Sequence, residues 1–158
     1  MTDLHPNARR VADAARDLGL NIEVHTFPAG TKTAADAAAA IGVEVGQIVK
    51  SLIFAVDGTV VLAYVSGANQ LDEKKLAAAA GGRRAGRVDA DAVRHATGYP
   101  IGGVPPFGHA TPLPIFIDED LLAFDAVWAA AGTWNDVFSL TPDDLVRASG
   151  GTVSNLKR

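Results

Sequence analysis

The chain has no cysteine, which removes disulfide scaffolding, a thiol nucleophile and cysteine-ligated metal from consideration. No run approaches the roughly 18 apolar residues that a membrane span requires. The amino-terminal stretch MTDLHPNARRVADAARDLG carries acids and a helical apolar pattern. A secretory signal would put a basic segment ahead of an apolar one, so this stretch does not read as one and the cytoplasm is the expected location. Several chemical motifs are missing too. There is no G-x-x-x-x-G-K-[ST], and GGVPPFG lacks the following helix that a dinucleotide fingerprint needs, so ATP, NAD and other cofactors are not expected. His5, His25, His95 and His109 are scattered without H-E-x-x-H or paired spacing, and no metal is expected. No serine sits in a G-x-S-x-G elbow, which makes a Ser-His-Asp hydrolase a poor fit.

What is present is the length of one domain, expected to span residues 1–158 around a single core. The net charge of −4 argues against a general nucleic-acid coat, but it is unevenly placed. From Ala110 to Val146 there is no lysine or arginine, while Asp118, Glu119, Asp120, Asp125, Asp136, Asp143 and Asp144 are acidic. Lys74, Lys75, Arg83, Arg84, Arg87 and Arg94 outnumber Asp89 and Asp91 in their own stretch. That end of the protein suits phosphates, although a solvated helix and loop would have the same composition.

The periodicity predicts a helix from Pro6 to Leu18, a strand in NIEVHTF and an alanine-rich helix capped by Thr33 and ended by Gly42. Gln47–Val56 and Thr59–Val65 are β-rich runs joined by Asp57-Gly58, a two-residue hairpin signal. Helices follow over Leu71–Ala80 and from Asp89 through Ala96. After a glycine- and proline-dense segment, IGGVPPFGHATPLP, strands are expected at IFIDEDLL, Ala126–Ala131 and Asp136–Leu140, then a helix opened by Thr141-Pro142-Asp143-Asp144. The order implies one α/β domain with a mixed, largely antiparallel sheet and no repeat or linker. Trp128 and Trp134 read as core or rim residues.

Two segments stand out chemically. In QIVKSLIF, strand alternation puts Lys50 on one face with Ile48, Leu52 and Phe54. A buried ammonium there costs several kcal/mol unless something compensates it, so Lys50 either faces a ligand cleft or snorkels to water along its apolar stem. In Gly102–His109, Gly102, Gly103 and Gly108 permit close backbone approach and Pro105 and Pro106 stiffen the chain. Exposed amides on such a loop suit an ester carbonyl or a phosphate; the alternative is an ordinary surface connection.

QIVKSLIF, the hairpin VDGTVVLAYVSG and the later IGGVPPFGH together resemble the YbaK/prolyl-tRNA synthetase-associated (ProX/YbaK-like) family of aminoacyl-tRNA editing domains. The order of a T-A-x-x-A-A-x-x-x-G helix, an L-D-x-K-K-L helix, a P-I-F-I-D strand and an L-T-P-x-D-L helix matches as well, over roughly Val11 to Ala148. The resemblance implies a compact α/β YbaK-like domain, its mixed sheet barrel-like and flanked by helices. It implies that Lys50 is catalytic, that the Gly103 and Val104 amides stabilise an oxyanion, and that water is the nucleophile. Thr31, Ser51, Gly102, Pro105, Phe107, Gly108 and His109 would bind substrate, with Lys74, Lys75, Arg83, Arg84 and Arg87 on tRNA phosphates. Departures bear on specificity: Ser51 follows the lysine, Ala129–Gly132 lacks a serine some members have, and VPPFGH differs from the serine-proline loop of the cysteine-removing subgroup. The function implied is a stand-alone trans-editing deacylase that removes a small mischarged amino acid from tRNA, with tRNAPro the expected species. Its partners would be the aminoacyl-tRNA acceptor end and prolyl-tRNA synthetase. The competing readings are a non-catalytic module of the same fold that binds aminoacyl-tRNA or a synthetase, and an esterase acting on free small esters.

Overall fold

In a computed structural model that describes residues 4–31 and 33–158, the punctuation read from the sequence sets most of the element ends. Residues 1–3, the start of the segment read for a signal, lie outside it. Helix α1 (Pro6–Asp17) begins with proline at its first turn and with the His5 ring accepting the Asn7 N–H; it buries Ala8, Val11 and Ala15. Strand β1 (His25–Thr26) is only the end of the run predicted from NIEVHTF, because only these two residues meet a partner strand. Helix α2 (Ala34–Ile41) is capped by Thr33 and stopped by Gly42 at φ +87°.

Strands β2 (Val49–Val56) and β3 (Thr59–Ser66) form the expected hairpin. Asp57 and Gly58 both take positive φ, as the tight two-residue turn requires. Helix α3 (Glu73–Ala79) starts later than predicted, because Asp72 caps it by accepting the Lys74 and Lys75 N–H groups. Then follow β4 (Ala85–Arg87), α4 (Ala90–Thr97), β5 (Ile115–Asp118), β6 (Val127–Ala130), β7 (Asp136–Leu140), α5 (Pro142–Ser149) and β8 (Thr152–Ser154). Among the described residues no helix is long and apolar enough to cross a membrane.

The strands form two sheets, ordered β4-β2-β3-β5-β8 and β1-β7-β6. Pairing is antiparallel except for β3-β5 and β5-β8, so the mixed, largely antiparallel expectation holds. The barrel-like expectation does not. The two sheets pack side chains together in one core, but among the described residues a single backbone bridge, Ile48 to Trp128, links them, and β4 covers only Phe54–Val56 at the far end of β2. The outer edge of β2 from Lys50 to Ile53 is therefore left without a strand partner among the described residues, and Ile101 and Gly102 come in beside it.

Both faces of the larger sheet are covered. Val49 and Ile53 enter a core with Val11, Phe107 and Phe138, whereas Phe54 and Val56 enter a second one with Leu76, Phe116 and Leu156. By strand alternation Lys50 belongs to the second face and Ser51 to the first.

Candidate active site

The register of the hairpin decides which way the β2 backbone points. Gly67 N–H donates to the Ile48 carbonyl at 2.8 Å, and Ile48 is followed by the Lys50–Val65 and Leu52–Ala63 pairs. In an antiparallel ladder such pairs alternate, so Ser51 turns its N–H and C=O away from β3 to the open edge. The strand thus offers, beside a lysine, backbone polar groups with no strand partner among the described residues.

The Lys50 ammonium is half-buried and donates to the backbone carbonyl of Asn69, on the turn that leaves β3. That turn is held from beneath. The Asn69 side-chain amide donates to Asp118 at 2.8 Å and to Asp120 at 2.9 Å. Asp118 is fully buried and also accepts N–H groups from Ser66 and Asp120. Lys157 pairs with Asp120 at 2.8 Å. Burial pushes the Lys50 ammonium below its ordinary pKa, and the negative charge of Asp118 partly restores it.

A cleft of about 370 Å³ opens on one side of Lys50, within the range of small-ligand sites. Its walls are mostly apolar: Ala34, Ala37, Ile48, Trp128 and Val137. Thr31, Thr33, Ser51 and Thr133 add hydroxyls, yet each is already engaged. Thr31 Oγ1 donates to Trp134 O at 2.8 Å, Ser51 Oγ to Val104 O at 2.6 Å and Thr133 Oγ1 to Asp136 at 2.6 Å. Thr33 Oγ1 accepts the Asp36 N–H. Ile101 and Gly102 form the rim, and the Trp134 indole N–H donates to Ile101 O at 2.7 Å. Gly102 sits at φ +82° with space for a Cβ only 3.2 Å from that indole nitrogen.

The sequence-predicted residues therefore divide. Lys50, Thr31, Ser51 and Gly102 come together around the cleft. Gly103, Val104, Pro105, Phe107, Gly108 and His109 are not among its walls. The Gly103 N–H donates to Pro100 O, and its carbonyl accepts the Gly132 N–H, both at 2.9 Å. Val104 is fully buried. The Gly103 amide expected to face an ester is therefore engaged within its own loop, and Val104 is buried, because this half of the loop is packed against Gly132 and the core. The Phe107 ring meets that of Phe138 at a tilt, with centroids 5.7 Å apart. His109 Nε2 and the Tyr64 hydroxyl share the Pro105 carbonyl, each at 2.7 Å, and burial lowers the His109 pKa.

Arg87 lines a second cleft on the other side of Lys50. Lys75 directs its ammonium to Lys157 O at 2.6 Å. Arg83 and Arg84 give their backbone N–H groups to Asp57 at the hairpin turn, the opposite end of β2 from Lys50. Trp128, Trp134, Asn69 and Asp118 escaped the sequence reading as site residues. The tryptophans fitted a core or rim role equally well, and Asn69 acts on Lys50 through a backbone carbonyl that any residue possesses.

The fold and cleft define a small α/β domain with Lys50 at an open strand edge beside an apolar chamber. Residues 28–148 match the aminoacyl-tRNA editing domain, and the chain belongs to that family. It is 36% identical over 123 residues to the uncharacterised protein YwhH of Bacillus subtilis, covering 78% of each chain. It is also 28% identical to the "Putative Cys-tRNA(Pro)/Cys-tRNA(Cys) deacylase EbsC" of Enterococcus faecalis, over 78% of this chain and 76% of that one. A solved structure described as a "putative trans-editing enzyme for prolyl tRNA synthetase" superposes with a TM-score of 0.93 at 46% identity, covering 99% of both chains. The proline–tRNA ligase of Maridesulfovibrio salexigens is 34% identical over 68% of this chain, which spans 18% of the ligase.

Proposed function

We propose that this protein is a trans-acting aminoacyl-tRNA deacylase that hydrolyses the ester of a small, neutral amino acid mischarged on tRNA, with tRNAPro the expected species. The observation that carries the reading is Lys50, a lysine brought to the mouth of an apolar cleft on an unpaired strand edge in a chain of the editing family. The names of the relatives support tRNAPro and an association with prolyl-tRNA synthetase.

In this scheme the amino-acid side chain enters the apolar chamber and the ester carbonyl lies over the β2 edge. Water attacks the carbonyl carbon, its orientation set by the substrate's ribose hydroxyl or α-amine. Negative charge then develops on the carbonyl oxygen, where the Lys50 ammonium and the outward N–H of Ser51 stabilise it. Collapse breaks the bond to the ribose oxygen, which takes the proton given up by the attacking water and leaves as the 3′ hydroxyl of the tRNA, while the amino acid departs with a free carboxylate. Because most of its walls are apolar, the chamber favours an aliphatic side chain such as alanine's. An apolar pocket rejects an isostere bearing one extra hydroxyl only weakly, by at most about 10²-fold, so seryl esters are expected to be slower substrates that are not excluded.

The test is release of labelled alanine, serine, threonine or cysteine from charged tRNAPro, tRNAAla and tRNAThr, run beside Lys50→Ala. Fastest release of alanine from tRNAPro, lost in the variant, is expected. Salt-sensitive binding with no release from any species would replace the reading by a non-catalytic binding module. Turnover of free amino-acid esters without tRNA would replace it by an esterase.

A further inference from the structure

Lys50, Ser51, Leu52 and Ile101 belong to two clefts at once. The first is the apolar chamber described above. The second, of about 480 Å³, continues along the open edge of β2 toward β4 and has a different character. It carries Arg87 from β4, Arg158 from the carboxy-terminal segment and Lys50 itself, against one acid, Glu73. The Arg87 side chain is exposed, and no hydrogen-bond or ion-pair partner for it occurs among the described residues. Arg158 is oriented by long contacts to Leu71 O at 3.3 Å and Gln70 Oε1 at 3.4 Å, and no ion pair holds it among the described residues. An excess of uncompensated cations beside exposed strand backbone is suited to an anionic, extended ligand.

We infer that this second cleft holds the phosphodiester backbone of the terminal nucleotides of the substrate RNA, with Arg87 and Arg158 on phosphate oxygens. The inference rests on the deacylase reading for the identity of the ligand. It divides the substrate at Lys50: the amino acid lies on the apolar side, the nucleotides on the basic side, and the scissile ester at the seam where the two clefts share residues. The placement also accounts for Lys50 lining both clefts, since a cation there meets the carbonyl from one side and the last phosphate from the other.

The test uses two non-hydrolysable probes in which an amide replaces the ester: 3′-alanylamino-adenosine, which has no phosphate, and the same group on a cytidine-cytidine-adenosine trinucleotide. Wild-type protein is expected to bind the trinucleotide at least about tenfold more tightly, with a salt slope near −0.7 per phosphate contact. Arg87→Gln and Arg158→Gln together should abolish that preference while leaving nucleoside affinity and Tm unchanged, and Arg87→Lys should retain most of it. If the double variant keeps the full preference, the inference is overturned. The trinucleotide with a free 3′ hydroxyl separates the two levels of the argument. Should it bind as tightly as the alanylamide, in an arginine-dependent way, the phosphate cleft stands and the deacylase reading falls. If no probe binds, both fall.

Discussion

Lys50 was conspicuous from strand alternation alone, because an ammonium among Ile48, Leu52 and Phe54 needs a reason. Its partner was not legible: the Asn69 carbonyl is a backbone group, delivered by the hairpin's return and fixed by the buried carboxylate of Asp118. Replacing Lys50 by alanine should lower the deacylation rate constant by about 10²- to 10³-fold, the scale of losing one oxyanion donor. Lys50→Met should keep or raise Tm, because it removes a desolvated charge and fills the same volume. Together, single-turnover kinetics and thermal unfolding separate catalysis from structure. The pH dependence has a definite sign. Burial holds the Lys50 pKa below 10.5, so activity that requires the ammonium should fall on the alkaline side before an ordinary lysine titrates. Asp118→Asn removes the charge that raises this pKa, and the alkaline limb should move to lower pH; an unmoved limb would mean that Lys50 does not act as a cation. Folded Lys50 loses its proton more readily than unfolded Lys50. The stability cost of its burial is therefore fully present below the lowered pKa and is relieved as pH rises toward 10.5.

At the scale of elements, strong local chemistry was read correctly and cooperative pairing was not. The β2-β3 turn, the Thr33, Asp89 and Thr141 caps and the terminating Gly42 and Gly98 all appear where the residues demand them. Strands β4 and β8 went unseen, since Ala85-Gly86-Arg87 and Thr152-Val153-Ser154 have little β pattern of their own and are ordered by docking on β2 and β5. The Gly102–His109 loop shows a related limit. Its glycines suggested exposed amides, but at Gly103 the absent side chain admits another backbone. A Cβ there would lie 3.1 Å from Gly132 C and O and Thr133 N. Backbone on that side cannot rotate away, so Gly103→Ala should destabilise the protein by about 1–3 kcal/mol. Deacylation per folded molecule should stay near wild type. Chemical denaturation beside activity at matched folded concentration checks this, and a catalytic defect in a stable Gly103→Ala protein would return the oxyanion role to that amide. Ser51→Ala should loosen the same loop by removing its hydrogen bond to Val104 O, at a cost of about 1 kcal/mol.

For the whole molecule, the decisive departure from expectation is that the sheet does not close. A sealed barrel would have paired Lys50–Ile53 and left Lys50 beside a continuous wall. Two sheets joined at Ile48–Trp128 instead leave a slot, and both clefts open from it. The basic residues are then spread along β2. Arg87 stands at the slot, whereas Arg83 and Arg84 are anchored at Asp57, about 23 Å from Lys50 at ~3.3 Å per strand residue. That separation is too large for contacts with the terminal nucleotide and suits the duplex behind it. Arg83→Glu with Arg84→Glu should therefore raise KM for full-length charged tRNA, reduce its salt dependence and leave kcat unchanged. The same double variant should hydrolyse a charged trinucleotide as wild type does, while Arg87→Glu should impair both substrates. If the hairpin-end pair weakens the trinucleotide as much as the tRNA, the acceptor stem does not run along β2. If it affects neither, that end of the molecule is ordinary solvated surface and recognition is confined to the slot.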